Sequence, residues 1–155
     1  MHFAGSRVLD ATPEDIWPHI FKPELLMKLI PGCQSIEQVS PEEYRTIIDI
    51  GLPAIVGRYD ATVKLMDYLE PSSCRFQGLV ESNAGHISGT ASFTLQEVNQ
   101  HKTEIKYEAD AVISGHLGKL KGRFIQGVAQ TLINQGLSRL NQELIQNSEN
   151  TPCES

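Results

Sequence analysis

The spacing of hydrophobic residues changes three times along this chain, and each change marks a different kind of element. Phe3 to Leu9 reads as a first strand. Asp10-Ala11-Thr12-Pro13-Glu14-Asp15 then carries a helix start, with Thr12 as N-cap, Pro13 at the first helical position and Asp15 three residues after the cap. Pro18 and Pro23 keep this helix short; Ile16, Trp17 and Ile20 form its apolar side. A second short helix is predicted from Pro23 to about Leu29, ended by Pro31-Gly32.

The period then becomes two. Tyr44, Ile48 and Ile50 share one face of a strand over 44–50, and 59–65 alternates with Asp60, Thr62 and Lys64 facing out. Cys74, Phe76 and Val80 fall together, as do Ile87, Ala91, Phe93 and Leu95, and then Ile105, Tyr107 and Ala109. Each strand has one wet and one dry face, the mark of an antiparallel meander open to solvent on one side. Turn-like links separate the strands at Glu70-Pro71-Ser72-Ser73, Asn83-Ala84-Gly85 and Asn99-Gln100-His101. From about Leu117 to Ile145 the period is helical: Leu117, Leu120, Phe124, Val128 and Leu132 form a stripe continued by Gly136, Leu137, Leu140 and Leu144. Gly122, Gly127 and Gly136 each weaken such a helix by roughly 1 kcal/mol relative to alanine.

The predicted order is therefore strand, two short helices, five or six antiparallel strands and one long carboxy-terminal helix. This is an α+β architecture in which a curved antiparallel sheet must wrap the long helix to cover its dry face. Small residues (Ala61, Gly78, Gly89, Ala91, Ala109, Ala111) recur on the inferred dry faces. They either leave space for a ligand or allow close helix–sheet contact, and periodicity alone favours neither.

At 155 residues the chain has room for one domain, expected over residues 1–145, with a disordered polar tail over 146–155. A net charge of −6 argues against a binder of nucleic-acid backbones, so no nucleic-acid partner is expected. The three cysteines are far apart with no C-x-x-C pair, which argues against a disulfide framework and for a reducing compartment. With no signal-peptide pattern and no apolar run of about 20 residues, a cytoplasmic location is expected.

Phe3-x-Gly5, Ala11-Thr12-Pro13-x-x-Ile16-Trp17, Ile30-Pro31-Gly32-Cys33 and the stretch from Ile113-Ser114-Gly115-His116-Leu117-Gly118 to Arg123-Phe124-Ile125 carry a family resemblance. From about Phe3 to Leu140 the chain resembles the carbon monoxide dehydrogenase G-subunit family, within the START/Bet v 1-like (SRPBCC, polyketide cyclase) superfamily. The resemblance implies a helix-grip fold with an apolar tunnel between sheet and long helix. It also implies an accessory role beside a molybdenum hydroxylase of the carbon monoxide dehydrogenase type, in membrane recruitment of that enzyme or in handling a lipophilic acceptor such as a quinone. Longer members carry a carboxy-terminal extension suited to membrane anchoring. This chain is expected to lack it, leaving reversible contact with the inner face of the cell membrane.

The candidate cavity lining follows from the inferred dry faces. It comprises Trp17 and Leu29 from the short helices, Ile48 and Ile50, Tyr59 and Val63, and Phe76 and Val80. Ile87, Ala91, Phe93 and Tyr107 extend it along the later strands, and Leu120, Phe124 and Val128 supply the helix side. For Trp17 and Phe124, ordinary core packing competes with a ligand contact. Tyr44, Tyr59 and Tyr107 are the candidate hydrogen-bonding groups. Lys28, Ile30, Lys119 and Lys121 are candidates for membrane or partner contact, with a plain solvated face as the alternative.

Catalytic chemistry finds little support. The five histidines are scattered without ligand spacing, so neither a metal nor a cofactor is expected. Ser88-Gly89 and Ser114-Gly115 lack a nucleophile-elbow context, and Cys33 reads as a small buried hydrophobe in preference to a reactive thiol. The leading expectation is a non-catalytic binder of an apolar ligand. The alternatives are a cyclase- or aromatase-like enzyme working in the same cavity and an assembly factor without a ligand.

Overall fold

The computed structural model describes the backbone of residues 1–150 and the side chains of residues 1–146. β1 (His2–Leu9) is followed by α1 (Pro13–His19) and α2 (Pro23–Leu29), then by β2 (Cys33–Ser40), β3 (Glu43–Ile50), β4 (Gly57–Leu69), β5 (Ser73–Ser82), β6 (Gly85–Asn99) and β7 (Lys102–Ser114). A 3₁₀ turn (Leu117–Lys119) leads into α3 (Gly122–Asn150). The strands form one seven-stranded sheet in the order β1-β7-β6-β5-β4-β3-β2, and every pairing is antiparallel. The sheet is curved, with β1 and β2 as its two edges, and α3 faces its concave side.

Local chemistry explains the helix starts. Thr12 Oγ1 accepts from the Asp15 backbone N–H at 3.2 Å, and Pro13 occupies a position whose N–H would be unpartnered in any case. Pro23 takes the corresponding place in α2, where Lys22 before it makes no side-chain cap. Gly32 then turns the chain with φ of 80°, a region that strains any residue with a Cβ. Its carbonyl accepts from the Asp49 N–H at 2.9 Å, which ties the end of the short-helix segment to β3.

Two expectations are corrected, at the two ends of the long helix, and one strand joins those located from the sequence. β2 carries no clean alternation, because as an edge strand with two register shifts it buries little of Cys33-Gln34-Ser35-Ile36-Glu37-Gln38-Val39-Ser40. The long helix starts at Gly122, not Leu117. Gly115 adopts φ of 76°, a Cβ on Gly118 would lie 2.8 Å from the Ile113 carbonyl oxygen, and the chain makes a tight 3₁₀ turn before α3 begins. At the other end α3 continues through Asn150, so residues 146–150 are helical; the rest of the expected tail, 151–155, lies outside the described residues.

The core is split in two. At one end Leu9, Ile16, Trp17, Leu25, Leu29, Cys74, Leu95, Ile105, Leu140 and Leu144 pack together, with Leu9, Ile16 and Cys74 fully buried. At the other end Ile55, Tyr59 and Leu117 form a smaller cluster. The inward-facing residues between them, including Ile48, Ile50, Phe76, Ala91, Phe93 and Leu132, are only half-buried.

Candidate binding cavity

The half-buried middle exists because α3 is held at its margins. Its backbone approaches α2 and β1 most closely and stands off from the central strands. Along β1 a polar seam fastens it. Arg7 donates to Ser138 Oγ at 2.7 Å, the Asp10 N–H donates to Asn141 Oδ1 at 2.8 Å, and Asn141 Nδ2 returns a bond to Asp10 Oδ2 at 2.9 Å. At α2, Gly136 is the close-approach point: a Cβ there would sit 3.3 Å from the Leu29 carbonyl oxygen.

Between these fastenings lie two inner chambers. The larger, about 460 Å³, is walled by Phe76, Ala91, Phe93, Ile105 and Ala109 from the sheet, by Leu29, Ile30 and Pro31, and by Leu132, Ile133, Gly136 and Leu137 from α3. The smaller, about 220 Å³, is walled by Ile55, Tyr59, Val80, Ile87 and Ile113 opposite Ile125, Val128 and Ala129. A wider opening of about 690 Å³ runs between Pro31-Gly32 and the segment Asp49–Leu52 on one side and Arg123, Phe124, Gly127 and Thr131 of α3 on the other. Ile50 and Leu132 border all three spaces.

Polar groups inside are few and already occupied. Tyr59 Oη donates to the Ile55 carbonyl at 2.6 Å, and Tyr44 Oη, outside the chambers, donates to the Phe21 carbonyl at 2.7 Å. Burial raises the pKa of both phenols. Tyr107 Oη accepts from Gln130 Nε2 at 2.9 Å. Among the described residues, no histidine borders these spaces. Of the two carboxylates that do, Glu108 is exposed, and Asp49 sits at the opening beside Arg58 at 3.3 Å. The site can therefore shelter apolar groups, and its described residues offer no acid/base pair around a common point.

The structure distributes the sequence candidates unevenly. Leu29, Phe76, Ala91, Phe93 and Tyr107 border the larger chamber; Tyr59, Val80, Ile87 and Val128 border the smaller; Ile48 and Ile50 border both. Phe124 lies at the opening, 41% exposed. Trp17, Val63 and Leu120 border none of the three. Trp17 is 6% exposed in the core, its ring 4.9 Å from Phe21 and 6.1 Å from Phe93, one layer behind the chamber wall. Leu120 precedes α3 and packs against the smaller core cluster. Lys28 is not beside Lys119 and Lys121: its Nζ lies 3.7 Å from Glu143 Oε2, about six helical turns from the start of α3 and on the order of 30 Å away. The residues missed were chiefly Ile125, Ala129 and Ile133, the flank of the α3 stripe, and Ile113, two residues past the predicted strand end. The i, i+4, i+8 spacing of the first three was the available signal.

The sequence profile of the carbon monoxide dehydrogenase G-subunit (CoxG) family matches residues 5–145. The chain belongs to that family. Among solved structures, this CoxG-family chain is similar to a conserved protein from Geobacillus kaustophilus, with a TM-score of 0.91 and 27% identity over 94% of this chain and 96% of that one. It also resembles a START superfamily protein from Mycobacterium smegmatis (TM-score 0.74, 10% identity, 94% and 97% coverage), and a protein from Thermus thermophilus (0.72, 14%, 96% and 99%). The Mycobacterium smegmatis match establishes the START-like fold. No curated protein matches the sequence. Among the described residues, no helix is long and apolar enough to cross a membrane.

Two of the motifs that carried the family resemblance have visible structural reasons in this CoxG-family chain. Gly32 of Ile30-Pro31-Gly32-Cys33 has a left-handed φ, and a Cβ there would run into the Asp49 carbonyl. Gly5 of Phe3-x-Gly5 pairs with Tyr107, whose ring lies across it. Cys33 is half-buried, its Sγ 3.3 Å from Thr46 Oγ1, which suits a structural thiol.

Proposed function

We propose that this chain binds an apolar ligand, a lipid or a quinone-like molecule, between α3 and the sheet. In this reading it serves as a non-catalytic accessory protein to a molybdenum hydroxylase of the carbon monoxide dehydrogenase type. The observation that carries the reading is the stand-off of α3 from the central strands, which leaves Ile48, Ile50, Phe76, Phe93 and Leu132 half-buried around a common void. Apolar surface covered by a ligand contributes about 25 cal/mol per Å², and a largely preformed pocket loses little of that gain to ordering. Membership of the CoxG family supports the accessory role. The reading also carries a cytoplasmic location and reversible contact with the inner face of the cell membrane, with Ile30, Lys119 and Lys121 as contact residues.

Native mass spectrometry of protein purified from its own host, followed by organic extraction, tests the binding. An apolar molecule that co-purifies in stoichiometric amount is the expected result. Repeated recovery of empty protein, with no thermal shift from decylubiquinone or a long-chain fatty acid, would overturn it. Cosedimentation with anionic liposomes at low salt checks the surface contact.

A further inference from the structure

We infer that the cavity takes a single-chain amphiphile with an anionic head, the head held at the opening by Arg123 and the tail threaded inward past Ile50 and Leu132. The inference rests on the binding reading above and names the class of ligand.

Arg123 differs from every other arginine in the chain. Arg45, Arg58 and Arg75 pair with Asp60, Asp49 and Asp67, Arg7 donates to Asn134 and Ser138, and Arg139 donates to the Lys28 carbonyl. Arg123, exposed, makes no such bond among the described residues, and it borders the opening, with Asp49, Thr131 and Gln135, that leads to the apolar chambers. A guanidinium carries only donors, arranged in a fork that matches a carboxylate or phosphate, so what it meets there must accept.

The surroundings favour a negative acceptor over a neutral one. Lys119 and Lys121 precede Arg123 with no acid between them, and the first turn of α3 contains none either. The amino end of a long helix adds its own partial positive charge. Asp49, the one acid bordering the opening among the described residues, is already beside Arg58. Against a net charge of −6 for the whole chain, this corner is locally positive.

The tail requirement comes from the connection between the spaces. Ile50 and Leu132 border all three spaces, with Pro31 shared by the opening and the larger chamber and Val128 by the opening and the smaller one, so a tail entering either chamber from a head beside Arg123 runs along these residues. A short chain stays in the opening, whereas a longer one enters an apolar chamber, where each added methylene strengthens binding by up to about fourfold.

The test titrates delipidated protein with octanoate, dodecanoate, methyl dodecanoate and dodecyltrimethylammonium, each displacing a fluorescent apolar dye. The wild type, Arg123→Gln and Leu132→Trp are compared after unfolding curves confirm that both variants fold. Dodecanoate is expected to bind the wild type more than about tenfold tighter than octanoate. Arg123→Gln should weaken dodecanoate by up to about fivefold and leave its methyl ester unchanged, as loss of one exposed charged contact predicts. Leu132→Trp should remove most of the gain with chain length. Equal affinity for the three head groups, or no gain with length in the wild type, overturns the inference and leaves the binding reading standing. If no probe displaces the dye, the binding reading falls as well. The chain-length comparison needs no variant, so it decides even if Leu132→Trp fails to fold.

Discussion

Replacing Gly5 by alanine tests how rigidly Tyr107 is held in the cavity wall. Gly5 sits on β1 directly opposite Tyr107 of β7, and a Cβ built there would lie 2.6 Å from Tyr107 Cζ and 3.1 Å from Cε1. Carbon atoms separate by about 3.5–4.0 Å at their optimum, so the ring must move by about 1 Å. That movement strains the 2.9 Å bond from Gln130 Nε2 to the phenol oxygen. Overpacking of this kind destabilises by about 1–3 kcal/mol, while loss of glycine's freedom in the unfolded chain returns about 0.4–1 kcal/mol. The expected net effect of Gly5→Ala is a loss of about 1–2 kcal/mol, read from urea unfolding as a lower midpoint at unchanged slope. The clash is with one side chain, so it must disappear when that side chain does. In a double-mutant cycle Gly5→Ala should cost little in the Tyr107→Ala background, giving a coupling of at least about 1 kcal/mol. Should Gly5→Ala prove neutral or stabilising, the ring swings aside freely. The account of Gly5 as the partner that Tyr107 demands would then be wrong.

Thr103, fully buried, donates from Oγ1 to the Ala11 carbonyl at 2.6 Å. Thr103→Val keeps the shape and orphans that carbonyl, so about 1–3 kcal/mol should be lost, whereas Thr103→Ser, which keeps the donor, should lose about 0.8 kcal/mol for its methyl. The Asp10 carboxyl is held below its ordinary 3.8 by hydrogen bonds from Lys102 and Asn141, the first being the larger. A depressed folded-state pKa supplies stability above the unfolded value and loses it as pH falls through the folded one. Lys102→Met should therefore flatten the acid limb of the stability profile below about pH 4, and carbon-detected NMR titration should show the Asp10 pKa rising. Burial pushes the Cys74 thiol up to about 11. In a Cys153→Ser background, Ellman's reagent at pH 8 should leave Cys74 unmodified in the native protein, while the half-buried Cys33 reacts faster. A Cβ on Gly127 would meet nothing within 4 Å, so Gly127→Ala should stabilise α3 by about 0.8–1 kcal/mol in thermal or urea unfolding.

Much of the fold was legible because short-range chemistry dictates it. Thr12-Pro13 opens a helix through contacts within its own first turn, Pro23 presets the backbone angle of a first helical residue, and an alternating run such as Tyr59–Leu65 has only one way to bury its apolar side. The family motifs were legible for a related reason: Gly5 and Gly32 answer steric demands that no other residue meets. β2 escaped notice because an edge strand with little to bury need not alternate. The start of α3 was misplaced because Leu117 and Leu120 kept the helical spacing across a 3₁₀ turn. The cavity itself depends on distances between elements, which periodicity does not contain. A stripe on α3 and a dry sheet face predict contact equally well whether the helix lies tight against the sheet or is held away from it. Only the tertiary structure shows α3 fastened at β1 and α2, with Ile50 and Leu132 facing a void and Trp17 one layer behind its wall. Local sequence thus determined which faces are apolar. The spacing between those faces, set by where distant side chains clamp the helix, decided that they enclose a cavity.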